Sequence, residues 1–413
     1  MRILSGPSAA KLVQSLACRG NSLTALEPRV RRIINDVRRN GDRAVRRYAQ
    51  RWDGLGNNQP LQVPASEMTA AWNALSREAS KSLREAARNI RRFCEWQKPR
   101  SWTRTHRGVS LGQLAIPLDS VGCYVPGGRY PLVSTLLMTV IPAQVAGVEN
   151  IRVASPKPSS EVLAAAAMLG VREFYCVGGA QAIAALAYGT KSILRVDKIV
   201  GPGNAYVTTA KKLVSFDCSI DFLAGPTEAV VLSESGNPKY IAADLVSQAE
   251  HDPDAMSVFI TTNESLAKAV SSDTDQLAGN NPVAAKSLRL RGAILITASR
   301  EQAREWSNLL APEHITVTRE DIPHIRNAGS VFVGEYSPQA AGDYASGPNH
   351  VLPTSGQARF RGGLSVLDFM KLVTIQELTD KGLQQIGNTV ETLAKIEGLQ
   401  AHANSIRVRY SHA

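Results

Sequence analysis

Short β-rich runs that alternate with helical segments, from Val121 to Val333, limit most strongly what this chain can become. Residues 121–125, 151–154, 174–177 and 198–200 form a first series of such runs. Residues 229–232, 257–261, 293–296 and 330–333 form a second, with a helical pattern around residues 241–250. Strands separated by helix-length segments are the signature of βαβ units, whose parallel sheets are covered by helices. Two α/β halves are therefore expected.

The flanks read differently. The first ~110 residues look mainly helical, broken at Asn40-Gly41 and by a Gly-, Asn- and Pro-bearing loop over residues 54–64. One long helix is expected after that loop, because Trp72, Leu75, Ala79, Leu83, Ala87, Ile90 and Cys94 recur at steps of three and four. After Arg361-Gly362-Gly363 the chain is expected to turn helical again, through residues 384–397, and to end in a short polar tail. No stretch approaches the roughly 18 to 20 apolar residues of a membrane span, and residues 1–20 lack the apolar core of a secretion signal. A soluble, cytoplasmic protein with no membrane partner is expected.

Net charge bears on partners. The excess of +11 is concentrated in residues 29–51. There Val30, Ile33, Ile34 and Val37 make one apolar helical stripe and Val45, Tyr48 and Trp52 another, leaving the arginines on the remaining faces. A solvated basic face and a site that attracts anions both fit this pattern. A nucleic-acid surface would need aromatic platforms among the arginines, and Tyr48 and Trp52 are expected on the apolar stripe instead. No nucleic-acid partner is expected.

Three strand ends run into glycine turns that open helices: Val125-Pro126-Gly127-Gly128, Val177-Gly178-Gly179-Ala180 and Val200-Gly201-Pro202-Gly203-Asn204. Glycine permits close approach of a ligand, and helix N-termini offer N–H groups to phosphate. None matches the dinucleotide fingerprint, so a nucleotide crevice and ordinary βα turns both remain open.

Four polar clusters carry ligand or acid–base capacity. Gln248 and His251, three apart at a helix end, could bind zinc or merely cap the helix. Glu313-His314 after Pro312 suits acid–base work, and equally a plain loop. Asp343 and His350 share a turn-rich loop, and Glu397 and His402 stand near the C-terminus. Four of the seven histidines fall in these clusters, while His106, His324 and His412 read as structural. Five cysteines without paired spacing argue against a disulfide framework and a thiolate zinc site. A metal-assisted enzyme on an α/β scaffold is the reading these residues support, with no substrate specified.

With those residues in view the chain resembles histidinol dehydrogenase from about Val30 to Arg409. The resemblance is carried by YVPGGRYPLVSTLLMTVIPAQVAGV, VGGAQAIAALAYGT, DKIVGPGNAYV, IDFLAGPTE, ADLVSQAEHDP, LAPEH, AGDYASGPNHVLPT and EGLQAHANSIRVR. It implies one zinc per subunit held by Gln248, His251, Asp343 and His402, and NAD met by Tyr124, Gln181 and Asn204. It implies a substrate, L-histidinol, held by Thr227, Glu397, the zinc and its ligands, with Glu313 and His314 as acid–base residues. Thr227 stands where many members have serine, and keeps the hydroxyl. The implied reaction is the four-electron oxidation of L-histidinol through the aldehyde to L-histidine, with two NADH formed.

The implied fold is two incomplete Rossmann-like α/β domains with a helical N-terminal region and a small helical C-terminal segment. Residues 1–23 would be an arm. Residues 24–115 with 228–365 would form a discontinuous domain, 116–227 an inserted one, and 366–413 a segment crossing to the partner of a homodimer with shared active sites. A related zinc and NAD dehydrogenase of another small alcohol, such as a sulfonated diol, is the competing reading; Arg129 in the first glycine turn would serve the sulfonate.

Overall fold

The computed structural model describes residues 1–20, 23–127 and 132–409. Gly128 and Arg129 of the first glycine turn, and His412, lie outside the described residues. In chain order the strands are β1 (Arg2–Ser5), β2 (Trp102–His106), β3 (Val109–Pro117), β4 (Ser120–Tyr124), β5 (Asn150–Ala154), β6 (Glu173–Tyr175) and β7 (Lys198–Val200). They continue with β8 (Ser219–Ile220), β9 (Glu228–Leu232), β10 (Met256–Thr261), β11 (Ala293–Ile296), β12 (His314–Val317), β13 (Ser330–Val333) and β14 (Met370–Leu378). The chain divides into two compact units. One is Met1–Gln97 with Leu118–Phe369, the other Lys98–Pro117 with Met370–Ala413.

The first unit holds both parallel sheets. One has the order β6-β5-β4-β7-β8, the other β1-β11-β10-β9-β12-β13. In each, the first strand of its series lies centrally and the order reverses beside it, between β4 and β7 and between β9 and β12. This is the doubly wound arrangement that the βα alternation implies. The central strands β9 and β10 are buried along their whole length, as strands covered on both faces must be. Val230, Ile260, Leu295 and Ile315 pack on one face against Ala9, Val13 and Trp306. Val231, Phe259 and Ile294 pack on the other against Leu245, Leu266 and Val270. Each such aliphatic side chain contributes roughly 1.5–3 kcal/mol on burial.

Several expectations change. Within the expected arm of residues 1–23, residues 2–17 are built into the sheet and its core: β1 pairs with β11, Arg2 opposite Ala293, and helix Gly6–Ala17 buries Ala9, Val13 and Leu16. The single long helix is two, Ala65–Ala74 and Arg77–Gln97, because Leu75 is extended and the Ser76 hydroxyl caps the second by accepting from the Ala79 N–H at 3.1 Å. The Asn40-Gly41 break is a kink at Gly41 inside helix Glu27–Tyr48, where φ is 50°. Trp52 is not on a buried stripe; it stacks on Tyr48 with ring centroids 4.9 Å apart and is 46% exposed.

The second unit is an antiparallel sheet, β14-β3-β2, with helices Asp380–Ile396 and Gln400–Arg407. The segment after Gly363 was expected to be helical, yet Met370–Leu378 forms nine register pairs with β3. β2 and β3 join through Arg107-Gly108, both with positive φ, the two-residue turn that suits strand twist. Leu111, Leu114, Leu372 and Val373 of this sheet are exposed.

Candidate active site

The carboxyl edge of the five-stranded sheet carries the glycine turns. Tyr124 ends β4, is 2% exposed, and its hydroxyl accepts from the Gly179 N–H at 3.1 Å. Gln181, in helix Gly179–Tyr188, donates its amide nitrogen to Asp53 at 3.1 Å, and the Gly178 N–H donates to the same carboxylate at 2.9 Å. The Gln181 amide oxygen is buried without a partner among the described residues. Burial pushes the Asp53 carboxyl up from its ordinary value, and those two donors offset part of the rise.

At the third turn Gly201 has φ 111°, and a Cβ there would stand 2.1 Å from the Tyr124 carbonyl oxygen, so only glycine fits. Its N–H donates to Asp221 at 2.7 Å, and Asp221 is paired with Lys211, whose ammonium also donates to the Gly201 carbonyl at 2.9 Å. Asn204 caps helix Ala205–Val214, accepting from the N–H groups of Tyr206 and Val207 at 3.0 and 3.2 Å. The N–H groups of Gly178, Gly179, Gly201, Tyr206 and Val207 thus have protein acceptors rather than standing open to phosphate. Asp53, Lys211 and Asp221 are structural partners the sequence reading missed. The carboxylate of Asp53 is 125 positions from the turn it holds, and no local pattern marks it.

The second group of side chains gathers at the amino edge of the six-stranded sheet. Thr227 immediately precedes β9, Glu313 immediately precedes β12, and His314 is the first residue of β12. Glu313 and His314 are 8% and 2% exposed, so this pair does not sit in a plain loop. Gln248 lies in the last turn of helix Pro238–Ala249, His251 just beyond it, and Asp343 in the short helix Gln339–Tyr344.

His314 stands between two carboxylates. Its Nε2 is 3.4 Å from Asp343, its Nδ1 is 3.8 Å from Glu313 without a hydrogen-bond partner, and its ring stacks on Phe332 at 5.8 Å. Glu313 accepts from the Glu228 N–H at 3.1 Å. Burial pushes the Glu313 carboxyl up to about 8 against the pull of His314. Burial would lower the imidazole of His314, but the facing carboxylates Glu313 and Asp343 raise it. Asp343 is lowered: burial opposes ionisation, and the bond and charge of His314 outweigh it. Three neighbouring titratable groups with shifted proton affinities thus face one another, an arrangement suited to general acid–base chemistry.

Gln248 donates its amide nitrogen to Asp343 at 2.9 Å, leaving the amide oxygen buried and without a partner among the described residues. An orphaned buried acceptor beside a carboxylate and an imidazole fits a hard or borderline cation with N/O ligands. Among the described residues no three His, Cys, Asp or Glu side chains are grouped to hold an ion by themselves. Cys94, Cys123, Cys176 and Cys218 are buried and Cys18 is exposed, all as free thiols.

Thr227, Gln248, His251, Glu313, His314 and Asp343 line one cavity of about 170 Å³. An adjoining cavity of about 470 Å³ shares Thr227 and His251 and reaches Gly127 and Asn204. The structure thus brings six of the sequence-derived site residues to one cavity and Asn204 to its neighbour. Glu397 and His402 are exposed residues of the second unit, the first at the end of helix Asp380–Ile396 and the second within helix Gln400–Arg407.

Residues 17–410 match the sequence family described as histidinol dehydrogenase. The chain is 47% identical to the histidinol dehydrogenase of Methanothermobacter thermautotrophicus, covering 91% of this chain and 92% of that protein. It is 43% identical to that of Aquifex aeolicus, covering 96% of each. It superposes on the crystal structure of histidinol dehydrogenase from Elizabethkingia anophelis with a TM-score of 0.94 and 35% identity, over 100% of this chain and 98% of that one.

Proposed function

This chain belongs to the histidinol dehydrogenase family, and from that premise we propose that the cavity between Glu313, His314, Asp343 and Thr227 is where it oxidises histidinol. The activity is the oxidation of histidinol in histidine biosynthesis, and family membership favours it over a sulfonated diol. The observation that carries the site assignment is His314, flanked by Glu313 and Asp343 on the wall of the cavity.

The chemistry divides into two oxidations. Each removes a hydride from the substrate carbon and a proton from its oxygen, and a water enters between them, so that alcohol becomes aldehyde and then carboxylate. His314 takes the hydroxyl proton in the first step and a gem-diol proton in the second. Glu313, buried beside it, takes the proton of the water that adds to the aldehyde. Thr227 offers its hydroxyl to the substrate, and Glu397 pairs with its ammonium group.

Gln248, His251, Asp343 and His402 would hold zinc, one ion per subunit, and Tyr124, Gln181 and Asn204 would meet NAD. When bound, zinc orients the nitrogen donors of the substrate and NAD accepts the hydride. The orphaned oxygens of Gln248 and Gln181 fit these two assignments.

The two parallel sheets make two domains, with 116–227 inserted and 366–413 crossing to the partner of a homodimer in the cytoplasm. The exposed Leu111, Leu114, Leu372 and Val373 support a surface covered in the assembly. The test is NADH formation from L-histidinol, with a sulfonated diol as control. Turnover of the diol alone would overturn the reading.

A further inference from the structure

Glu313 does not hold its own position. Its carboxylate accepts from the backbone N–H of Glu228 at 3.1 Å, and its backbone follows Ala311 and Pro312. Ala311 ends helix Arg300–Leu310 in the left-handed region, φ 44° and ψ 61°, and is fully buried. A non-glycine residue there is strained by on the order of 1–2 kcal/mol and persists only where its surroundings enforce it.

One side chain reaches both segments. Arg19, just past helix Gly6–Ala17, grips the Glu228 carboxylate with both arms of its fork, Nε to one oxygen and an Nη to the other, each at 2.5 Å. The same Nη lies 3.4 Å from the Ala311 carbonyl oxygen, and the other Nη donates to the Leu16 carbonyl at 2.7 Å, anchoring the guanidinium to its own helix. Glu228 is 3% exposed, and its remaining acceptor capacity takes the Ser355 N–H at 2.7 Å. A planar fork fixes orientation as well as charge, which a lysine would not do.

We propose that Arg19 is a positioning residue for Glu313: by clamping the Glu228 carboxylate and the Ala311 carbonyl it sets the two backbone segments that fix where the Glu313 carboxylate stands. Nothing in the sequence marks this role, since Arg19 and Glu228 are 209 positions apart. The proposal rests on the reading of Glu313 as the group that activates water, and it gives the N-terminal helix a part in the aldehyde step.

The test separates the two oxidations in the zinc-loaded enzyme, measuring alcohol to aldehyde and aldehyde to carboxylate each at saturating substrate, with release of free aldehyde as an independent readout. Arg19→Met should slow the aldehyde step about tenfold to a hundredfold more than the alcohol step, with more aldehyde released, and Arg19→Lys should fall between. In the Glu313→Gln background, Arg19→Met should add nothing to the split.

Arg19→Met leaves a buried charge unpaired, so Arg19→Met/Glu228→Gln, which removes both charges, serves where the single variant does not fold, with the same split expected. If both steps fall by one factor, or neither changes, the clamp is structural and the proposal is wrong. Should Glu313→Gln itself slow both steps alike, the role given to Glu313 fails, and the inference with it; a split in Glu313→Gln without one in the Arg19 variants overturns the inference alone.

Discussion

Gln248 and Asp343 are joined by one hydrogen bond of 2.9 Å, from amide nitrogen to carboxylate, and that bond decides which end of the amide is left over. The leftover oxygen is an acceptor that no donor among the described residues meets. Chelated protein should therefore lose histidinol turnover while keeping its circular dichroism and its cooperative unfolding, because the two parallel cores close without an ion. Gln248→Met should retain less zinc after dialysis. Normal turnover by a sample verified to be metal-free would end the zinc assignment.

Glu313 and His314 should separate by step. His314→Asn removes the proposed base of both oxidations and should cost on the order of 10² to 10⁴ in each. Glu313→Gln should chiefly slow hydration and the second oxidation. The number of NADH formed per histidinol consumed, two in the wild type and falling toward one in Glu313→Gln, distinguishes them.

Asp244, one turn before Gln248, gives a pH dependence apart from Glu313 and His314. Burial pushes its carboxyl up to about 6 from 3.8, with the Gln339 N–H offsetting part of the rise. The folded state thus favours the protonated form, so the contribution of Asp244 to stability is full below about pH 4 and is lost as pH rises through 6. Asp244→Asn stays neutral and should be more stable than wild type by about 1–3 kcal/mol above pH 7. The gain should shrink toward zero near pH 4, as denaturant unfolding at the two pH values will show; an equal gain at both would refute the sign.

Lys211 and Asp221 are an ion pair buried beneath the third glycine turn. Lys211→Met leaves a carboxylate unpaired in the interior and should cost about 3–5 kcal/mol, with NADH binding weakened as Gly201 loses its anchor. Equilibrium unfolding and NADH fluorescence measure the two effects separately.

If the partner subunit supplies Glu397 and His402, His251→Ala and His402→Ala homodimers should each be inactive. Reassembly of equal amounts places both lesions in one site of each mixed dimer, and roughly a quarter of wild-type activity should return for a twofold dimer. Tagged mixed dimers that remain inactive would show that each site is built within one chain.

The parallel strands were legible because buried strands must be apolar along their length, so β9, β10 and β11 announce themselves. β12 was missed because its first residue is His314 and its approach is Pro312-Glu313, polar residues that read as loop although Ile315-Thr316-Val317 carried a strand signal. β14 was missed because most of its residues are exposed, which removes the alternation that marks a half-buried strand. The apolar stepping from Trp72 to Cys94 continues across the break at Leu75-Ser76, so periodicity alone could not see it. Of the cavity lining, Glu313, His314 and Gln248 could be singled out from the sequence, whereas Arg19, Asp53 and Glu228 act over more than a hundred positions and depend on the folded arrangement.

The pairing of β1 with β11 also bears on how the protein is made. The five-stranded sheet draws only on residues 120–220, whereas the six-stranded sheet needs Arg2 opposite Ala293 and cannot be completed until β13 exists. On a ribosome the residues of β1 must wait for β11 before their strand is paired, with Ala9, Val13 and Leu16 uncovered meanwhile. That exposure ends only when helix Arg300–Leu310, which carries Trp306 of the same cluster, has followed β11 out.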